Sequence, residues 1–299
     1  MKRIVIYTFL LILSLTALGQ QTPMYTLYTF NDFLINPAIA GTKNFYEAKV
    51  NNRYQFAGIE NAPVTASLSL HGRYGNLPMG VGGIVYNDSQ GAFSKFGVYG
   101  AYSYILPIDN RTDFSLGMNV GLVEYKIDIS RITFIEPEYG IDETLYRYLR
   151  PDATFGAYIV SRDYYAGLSL DQLFNNKIEV INDTLVIDNS TVNRITSHAS
   201  VIAGTKMKLS YGFVFEPSVV VRKTVRTPVQ LELTGCLTYE KSVWAGVSVR
   251  TGDAIALLLG YNYRRLLTFG YAYDITYSTL RKASNGSHEV MIGVKFNER

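Results

Sequence analysis

The chain has 299 residues, of which 47% are hydrophobic and 18% charged, a balance that excludes an intrinsically disordered protein. Without Lys2 and Arg3 of a predicted leader, 26 basic residues face 25 acidic ones, so no basic surface for nucleic acid is expected. The single cysteine, Cys236, excludes an internal disulfide. Abundant tyrosine (24), phenylalanine (15) and glycine (25) favours pleated sheet and membrane interfaces over helices.

The first nineteen residues have the pattern of a secretory signal peptide. Lys2 and Arg3 precede an apolar run over residues 4–18, and Ala17-Leu18-Gly19 supplies small residues for cleavage. The run is too short for a typical transmembrane helix. We therefore predict a signal peptide over 1–19, an N-terminal periplasmic segment over 20–44 and one large domain over 45–299.

Residues 45–299 are organised as segments of about ten residues in which apolar and polar side chains alternate, the pattern of a membrane barrel. They predict an all-β fold, a transmembrane antiparallel β-barrel of about fourteen strands. The predicted strands are 45–56, 64–74, 79–88, 94–108, 113–128, 152–161, 164–173, 193–209, 212–225, 228–240, 242–250, 254–264, 266–278 and 287–298.

The alternation assigns one face of each strand to lipid and the other to the barrel lumen. In 228–240, Leu231, Leu233 and Leu237 share one face, whereas Glu232 and Thr234 share the other. Charges on the polar face indicate either a pore or a network of ion pairs that fills the barrel, since isolated buried charges are costly. The predicted lumen-facing charged residues are Arg53, Arg73, Glu216, Arg222, Glu232, Asp274 and Glu289.

The connections between these strands sort by length. Those that follow even-numbered strands are short, and the long ones follow odd-numbered strands: 57–63, 89–93, 129–151, 174–192 and 279–286. A soluble sandwich has no reason for this order, whereas an outer-membrane barrel has short periplasmic turns and longer extracellular loops. The pattern predicts both termini in the periplasm and residues 129–151 and 174–192 outside the cell.

Signals for catalysis are weak. Ser69 and His71 share one face of a strand, as a Ser/His hydrolase site would, but polar residues occupy that face in any barrel. No metalloprotease, zinc, phosphate-loop or nucleophile-elbow motif occurs. We expect no catalytic residue, no metal and no cofactor.

The segment over 20–44 contains a rigid corner, because Pro37 fixes the backbone, Asn36 is biased away from helix and Gly41 permits a left-handed turn. Aromatic residues precede this corner and must pack on something: the barrel rim, the lumen as a plug, or a partner. Aromatic residues of the longest predicted connection also exceed what a solvated loop needs. The candidate partner-binding residues are Tyr25, Tyr28, Phe30, Asn36, Pro37, Gly41, Tyr139, Tyr146 and Tyr148.

Several motifs resemble those of one family. The opening, with Gln21, Pro23, Tyr25, Tyr28 and Phe30-Asn31, is followed by the corner from Asn36 to Gly41. These motifs, and the later ones, are similar to the PorP/SprF family of Bacteroidetes membrane proteins. This family often has Tyr where Ile39 stands and Trp where Phe56 stands. The later motifs are Arg53-x-Gln55-x-x-Gly58, Ala62-Pro63-x-Thr65, Asn87-Asp88-x-x-Gly91, Glu216-Pro217-Ser218, Trp244-Ala245-Gly246, Tyr273-Asp274 and Gly286-Ser287-His288-Glu289.

The resemblance implies a bacterial outer-membrane barrel of the type IX secretion and gliding-motility system. Such a barrel would support secretion or surface anchoring of a large cargo protein, for instance an adhesin, with a C-terminal sorting domain. The resemblance also implies contact with periplasmic, peptidoglycan-linked components of the machinery and with outer-membrane lipid. From the residues alone, a solute channel of the porin type and an outer-membrane hydrolase stay open as alternatives.

Overall fold

A computed structural model describes residues 24–131, 145–176, 197–224 and 227–297. Among them, no helix is both long and apolar enough to cross a membrane. The strands are β1 Tyr46–Tyr54, β2 Val64–Arg73, β3 Met79–Gln90, β4 Phe93–Pro107, β5 Thr112–Asp128, β6 Leu145–Ser161, β7 Tyr164–Asp171, β8 His198–Thr205 continued by Met207–Lys208, β9 Phe213–Thr224, β10 Gln230–Tyr239, β11 Val243–Arg250, β12 Ala254–Tyr263, β13 Leu267–Thr276 and β14 Ser287–Phe296.

The described strands form a closed barrel in which each strand pairs antiparallel with its neighbours in sequence. Both pieces of β8 pair with β9, so they count as one strand interrupted at Lys206, and the barrel has fourteen strands. The first and last strands close the ring, with Tyr46 opposite Phe296 and Tyr54 opposite His288. Closure pairs every described strand with a neighbour on each side over at least part of its length, which is what a strand structure needs in a bilayer. The predicted fold is confirmed.

The predicted alternation is also the alternation of exposure. On β10, Leu233 and Leu237 are exposed on the outer surface, at 52% and 40%, whereas Glu232 and Thr234 are buried inside. The same holds for β2, where Leu68 is exposed and Ser69 is buried. An apolar outer surface and a polar interior are the reverse of the arrangement in a soluble protein. They suit a barrel that is surrounded by lipid.

Two connections are shorter than predicted. The β3–β4 connection, expected over 89–93, is a turn of residues 91 and 92. Strand β6 begins at Leu145, seven residues before the expected start, and Pro151 lies within it opposite Leu122. Strand β6 pairs with β7 only from Phe155 onward, so Pro151 lies where β6 has no partner on the β7 side. The missing backbone N–H of the proline is tolerated at such an edge. The predicted loop 129–151 is therefore partly strand.

The two ends of the barrel differ. One end, which we call the turn end, carries the connections β2–β3, β4–β5, β6–β7, β8–β9, β10–β11 and β12–β13. The other end, the loop end, carries β1–β2, β3–β4, β5–β6, β7–β8, β9–β10, β11–β12 and β13–β14. Strands β5 and β6 have 17 residues each, which at about 3.3 Å per residue exceeds the roughly 30 Å of a bilayer core even when tilted. This hairpin therefore projects beyond the bilayer at the loop end.

The segment that precedes β1 lies inside the barrel from Met24 to Gly41. Its buried residues contact inward-facing residues of most strands around the ring, and two short 3-10 turns, Asp32–Leu34 and Pro37–Ile39, shape it. The segment enters at the turn end, where Gly41 meets Arg73, and reaches Arg53 in the loop-end half at Thr26. The periplasmic segment of the sequence prediction is thus, over residues 24–41, a lumen segment.

Candidate functional site

The corner of the lumen segment is built by its own residues. Asn36 caps the turn Pro37–Ile39, because its Oδ1 accepts a hydrogen bond from the Ala38 N–H at 2.9 Å. Pro37 occupies the first position of the turn, where its missing N–H costs nothing. Gly41 ends the corner at φ +70°, a conformation that favours glycine. The sequence Asn-Pro-Ala-x-Ala-Gly therefore specifies a compact, stiff shape.

Glycines of the barrel wall receive this corner. A Cβ on Gly80 of β3 would overlap the Ala40 carbonyl, and one on Gly156 of β6 would overlap the Asn36 side chain. On β5, a Cβ at Gly117 would lie 2.5 Å from the Ala38 nitrogen. Side chains at these places would push the corner out. We call Gly80, Gly117 and Gly156 the glycine seat.

Hydrogen bonds fix the corner within the glycine seat. The Asn36 Nδ2 donates to the carbonyls of Ala157 on β6 and Leu168 on β7, at 3.0 and 3.1 Å. The Ser103 hydroxyl of β4 donates to the Ala40 carbonyl at 2.7 Å. These contacts use wall carbonyls and a wall hydroxyl, so the position of the corner depends on the backbone of neighbouring strands.

The opposite wall holds the segment through charges around Thr26. The Thr26 N–H donates to Glu289 at 2.6 Å, and its hydroxyl donates to Asp274 at 2.9 Å. Arg53 pairs with both carboxylates, at 2.7 Å to Asp274 and 3.1 Å to Glu289, and all three side chains are buried. Arg250 also contacts Asp274 at 3.4 Å. We call Thr26, Arg53, Arg250, Asp274 and Glu289 the Thr26 network.

A second charged group borders the Thr26 network. Glu232 accepts from Arg222 at 2.9 Å and from Arg250 at 3.2 Å, so it is held by two guanidinium groups. Beside it, the Tyr28 hydroxyl lies 2.9 Å from the Thr234 hydroxyl. Buried charges that are paired in this way neutralise each other, whereas loss of one partner leaves the others buried without an opposite charge.

Aromatic and amide contacts complete this wall. The Phe30 ring stacks on Trp244 with centroids 3.7 Å apart and planes at 17°. The Asn31 amide donates to Asn51 at 2.7 Å and accepts from Ser69 at 3.0 Å. Residues along the segment thus contact particular wall residues, and the segment obstructs the lumen at this depth.

Charged residues at the turn end form ion pairs with the lumen segment where it enters the barrel. Lys43 contacts Asp32 at 3.1 Å and Glu47 at 3.2 Å, and Lys49 contacts Glu47 at 2.7 Å. Burial disfavours the Asp32 carboxylate, but the two ammonium groups outweigh it and lower the pKa of Asp32. Asp32, Glu47 and His71 bring three possible metal-ligating atoms within 4.8 Å of one another. Two lysine ammonium groups already neutralise these carboxylates, so the group does not resemble a metal site.

The residues that we selected from the sequence fall into two sets. Tyr25, Tyr28, Asn36, Pro37 and Gly41 are buried in the lumen, and Phe30 lies half-buried among them. Their contacts are with the barrel wall, and their binding of a partner stays a prediction. Tyr146 and Tyr148 lie on the projecting part of β6, and Tyr139 lies outside the described residues.

The selected charged residues engage partners within the barrel. Arg73 donates to the Gly41 carbonyl at 3.2 Å, and Glu216 accepts from the Tyr165 hydroxyl at 3.1 Å. The other five belong to the groups around Thr26 and Glu232.

The sequence interpretation overlooked Thr26, Asp32, Lys43, Glu47, Lys49, Arg250, Trp244 and the glycine seat. The alternation that marked Arg53 also marks Glu47 and Lys49, which precede it on the same face of β1.

The Ser69 and His71 pair lies beneath the lumen segment. Ser69 donates to Asn31, and the His71 ring packs against Phe33 with centroids 4.5 Å apart. Both residues are buried, at 1% and 2% exposure. A hydrolase site must admit a substrate, and this pair faces packed side chains instead.

The family model described as "Type IX secretion system membrane protein PorP/SprF" matches residues 17–294, nearly the whole chain. The chain belongs to the PorP/SprF family. It is therefore an outer-membrane β-barrel of the type IX secretion system. No curated protein matches the chain.

Solved structures similar to this PorP/SprF barrel include two hydrocarbon channels and a porin. The "CymD monoaromatic hydrocarbon channel" has a TM-score of 0.49 and 11% identity, covering 93% of this chain and 94% of that one. The "TodX deltaS2S3 mutant monoaromatic hydrocarbon channel" has a TM-score of 0.48 and 11% identity, with coverage of 93% and 96%. The "KdgM porin" has a TM-score of 0.42 and 7% identity, with coverage of 84% and 99%.

Proposed function

We propose that this barrel is a closed, non-enzymatic scaffold that supports secretion or surface anchoring of a large cargo protein with a C-terminal sorting domain. The observation that carries the proposal is the filled lumen. Residues 24–41 contact both walls, and the contacts run from the turn end into the loop-end half. A solute channel of the porin type needs a continuous aqueous path, which a segment packed in this way obstructs.

The loop end is the surface that we assign to the cargo. The β5–β6 hairpin projects there, and Tyr148 packs beside Val123 and Tyr125 at its base. Half-buried aromatic side chains on a projecting hairpin are suited to protein contact, because aromatic residues are enriched at interfaces. Tyr146 belongs to the same hairpin, so the two selected tyrosines lie where a secreted protein would meet the barrel.

The turn end is the surface that we assign to the periplasm. Strand β1 begins there at Tyr46, shortly after the lumen segment, and β14 ends there at Phe296, whereas Thr26 of the segment lies in the loop-end half. A groove of about 290 Å³ lies at this rim beside Phe45, Arg73 and Asn297. Peptidoglycan-linked components of the machinery would reach this side, and the cargo would reach the other.

Recovery of cargo with the barrel tests the assignment of the loop end. Tyr146→Ala with Tyr148→Ala should abolish surface display of the cargo and its co-purification, at unchanged barrel level. The matched control is Tyr261→Ala with Tyr263→Ala, two exposed tyrosines on the outer surface near the turn end. Normal display with the first pair, or equal loss with both pairs, would contradict the assignment.

An epitope test decides the orientation independently. A tag placed between Lys282 and Ala283, in the exposed β13–β14 connection of the loop end, should be stained on intact cells. A tag between Tyr211 and Gly212, at the turn end, should be stained only after the outer membrane is opened. The reverse result would invert the two assigned surfaces.

A further inference from the structure

A polar cavity lies between the lumen segment and the wall in the loop-end half of the barrel. Its volume is about 120 Å³, and its floor is formed by Tyr25, Leu34 and Ile35 of the lumen segment. The wall around it is formed by residues of β3 to β9, which makes it separate from the Thr26 network. Engineered cavities of about 150 Å³ hold a benzene molecule, so this one has room for a small planar group.

Three oxygen atoms around this cavity have no hydrogen-bond partner among the described residues. They are Asn119 Oδ1, Asp152 Oδ1 and Gln172 Oε1, and the Asn119 and Asp152 side chains are 5% and 4% exposed. Buried polar atoms in folded proteins bind a protein group, an ordered water or a ligand. All three atoms are acceptors, so the complementary ligand is rich in donors.

Two carboxylates of the lining, Asp152 and Asp171, form no ion pair with the described residues. Lys95, which borders the cavity, lies directly opposite Asp88 in the β3–β4 pair. Arg222, the other bordering cation, forms an ion pair with Glu232. Within the described parts of the chain, Asp152 has no ion pair, and its second oxygen accepts from the Tyr99 hydroxyl at 2.7 Å. A positive charge in the cavity would be attracted by Asp152 and Asp171 and repelled by Lys95, whereas the charge of Arg222 is offset by Glu232.

We propose that this cavity binds the guanidinium group of an arginine side chain, carried by a polypeptide that reaches the loop end. A guanidinium has five N–H donors in one plane and no acceptor, which matches the three unpartnered oxygens and the nearby Asp171 carboxylate. The rings of Tyr86 and Tyr99 lie nearly parallel, with planes at 17°, and offer faces on which the planar cation stacks. A lysine ammonium would pair with Asp152, but it is not planar and does not match the flat shape of the site.

A metal ion fits this lining less well. Hard cations take several carboxylate or carbonyl oxygens at about 2.0–2.6 Å, and a tyrosine-lined wall is unsuited to them. In the described residues, the set of three possible metal-ligating side chains lies at Asp32, Glu47 and His71, away from this cavity. The inference does not rest on the proposed scaffold function, because the purified barrel alone should bind the group.

The test is a titration of the purified full-length barrel with a small peptide, acetyl-glycyl-arginyl-glycinamide. The expected dissociation constant is on the order of 1 mM, since few atoms make contact. The analogue with citrulline in place of arginine, which is neutral and of the same shape, should bind at least about tenfold more weakly. In a structure of the complex, the guanidinium should lie beside Asp152.

Two variants locate the binding. Asp152→Asn keeps the size and an acceptor for Tyr99 but removes the charge, and it should weaken binding of the arginine peptide about tenfold. Asp128→Asn removes the same charge at the loop end outside the cavity, where Asp128 pairs with exposed Arg131, and should leave binding unchanged. Both variants are checked for intact barrels by heat-modified migration.

Several outcomes would overturn the proposal. Equal binding of the arginine and citrulline peptides would exclude recognition of the charge, and unchanged binding by Asp152→Asn would exclude this cavity. Absence of binding at millimolar peptide would mean that the oxygens are satisfied by water alone. Displacement of the arginine peptide by calcium or by a neutral sugar would assign the cavity to a different ligand class.

Discussion

The two walls of the lumen hold the same segment by different means. Strands β10 to β1 hold Thr26 and Tyr28 with buried charges and hydroxyls, centred on Arg53. Strands β3 to β7 hold the corner at Ala38 with glycines that let the backbones approach, centred on Gly117. The first wall holds the segment through buried charges, and the second holds it through close backbone approach together with hydrogen bonds between uncharged groups.

The difference has an energetic consequence. Hydrogen-bonded charges are costly to separate, because removal of one partner leaves the others buried without compensation. A side chain added at a close backbone contact costs less free energy, because the segment can shift to make room for an added methyl group. We therefore expect the largest losses on the charged wall and smaller losses on the glycine seat.

The largest expected effect is that of Arg53→Ala. Asp274 and Glu289 would lose their shared cation, and buried pairs broken in this way cost about 3–5 kcal/mol. Denaturant titration of the barrel in lipid should show this loss of unfolding free energy. The control, Arg131→Ala, breaks an exposed pair with Asp128 and should cost no more than about 1 kcal/mol. Equal effects would contradict the account of the charged wall, because they would mean that the buried Arg53 pairs contribute no more than an exposed pair.

Gly117→Val tests the glycine seat. The new side chain would meet the backbone at Ala38, and overpacking of this kind costs about 1–3 kcal/mol. The lumen segment should become accessible to added protease before the barrel unfolds. Gly100→Val places the same side chain where nothing lies within 4 Å, and it should stay within about 0.5 kcal/mol of the parent. A protected segment in Gly117→Val would contradict the seat.

Tyr28→Phe has the smallest expected effect. It removes one hydroxyl from the contact with Thr234 while keeping the ring, and a single neutral hydrogen bond contributes about 0.5–1.5 kcal/mol. Thr234 keeps its bond to Ser248 at 2.8 Å, so the loss should lie at the lower end. Tyr261→Phe, on the outer surface, is the matched control and should be neutral. A loss as large as that of Arg53→Ala would mean that Tyr28 is the main anchor.

The barrel could be predicted from the sequence because its signal is local. Alternation on β10 follows from a period of two residues, and in the structure Leu233 is exposed whereas Glu232 is buried. The same rule identified Arg53 as lumen-facing. The predicted strand 152–161 begins too late, after Pro151. A proline is tolerated within β6 because β7 does not pair with that part of it, and this depends on the neighbouring strand.

The seating of the lumen segment could not be predicted in this way, because its partners are distant in sequence. Thr26 and Glu289 are separated by 263 positions, and no local pattern joins them. The aromatic residues before Asn36 showed that the segment must pack on something, and the plug was one of three interpretations. Gly117 and Gly156 gave no signal alone, since a strand glycine also marks bulges and bends.

The central claim is that residues 24–41 close the lumen, and single-channel recording in planar bilayers tests it most directly. The parent barrel should insert without conductance steps, and Gly117→Val with Arg53→Ala, which loosens both walls, should produce steps under the same conditions. Reproducible steps from the parent, as large as those of the double variant, would show that the lumen is open and that the segment does not fill it.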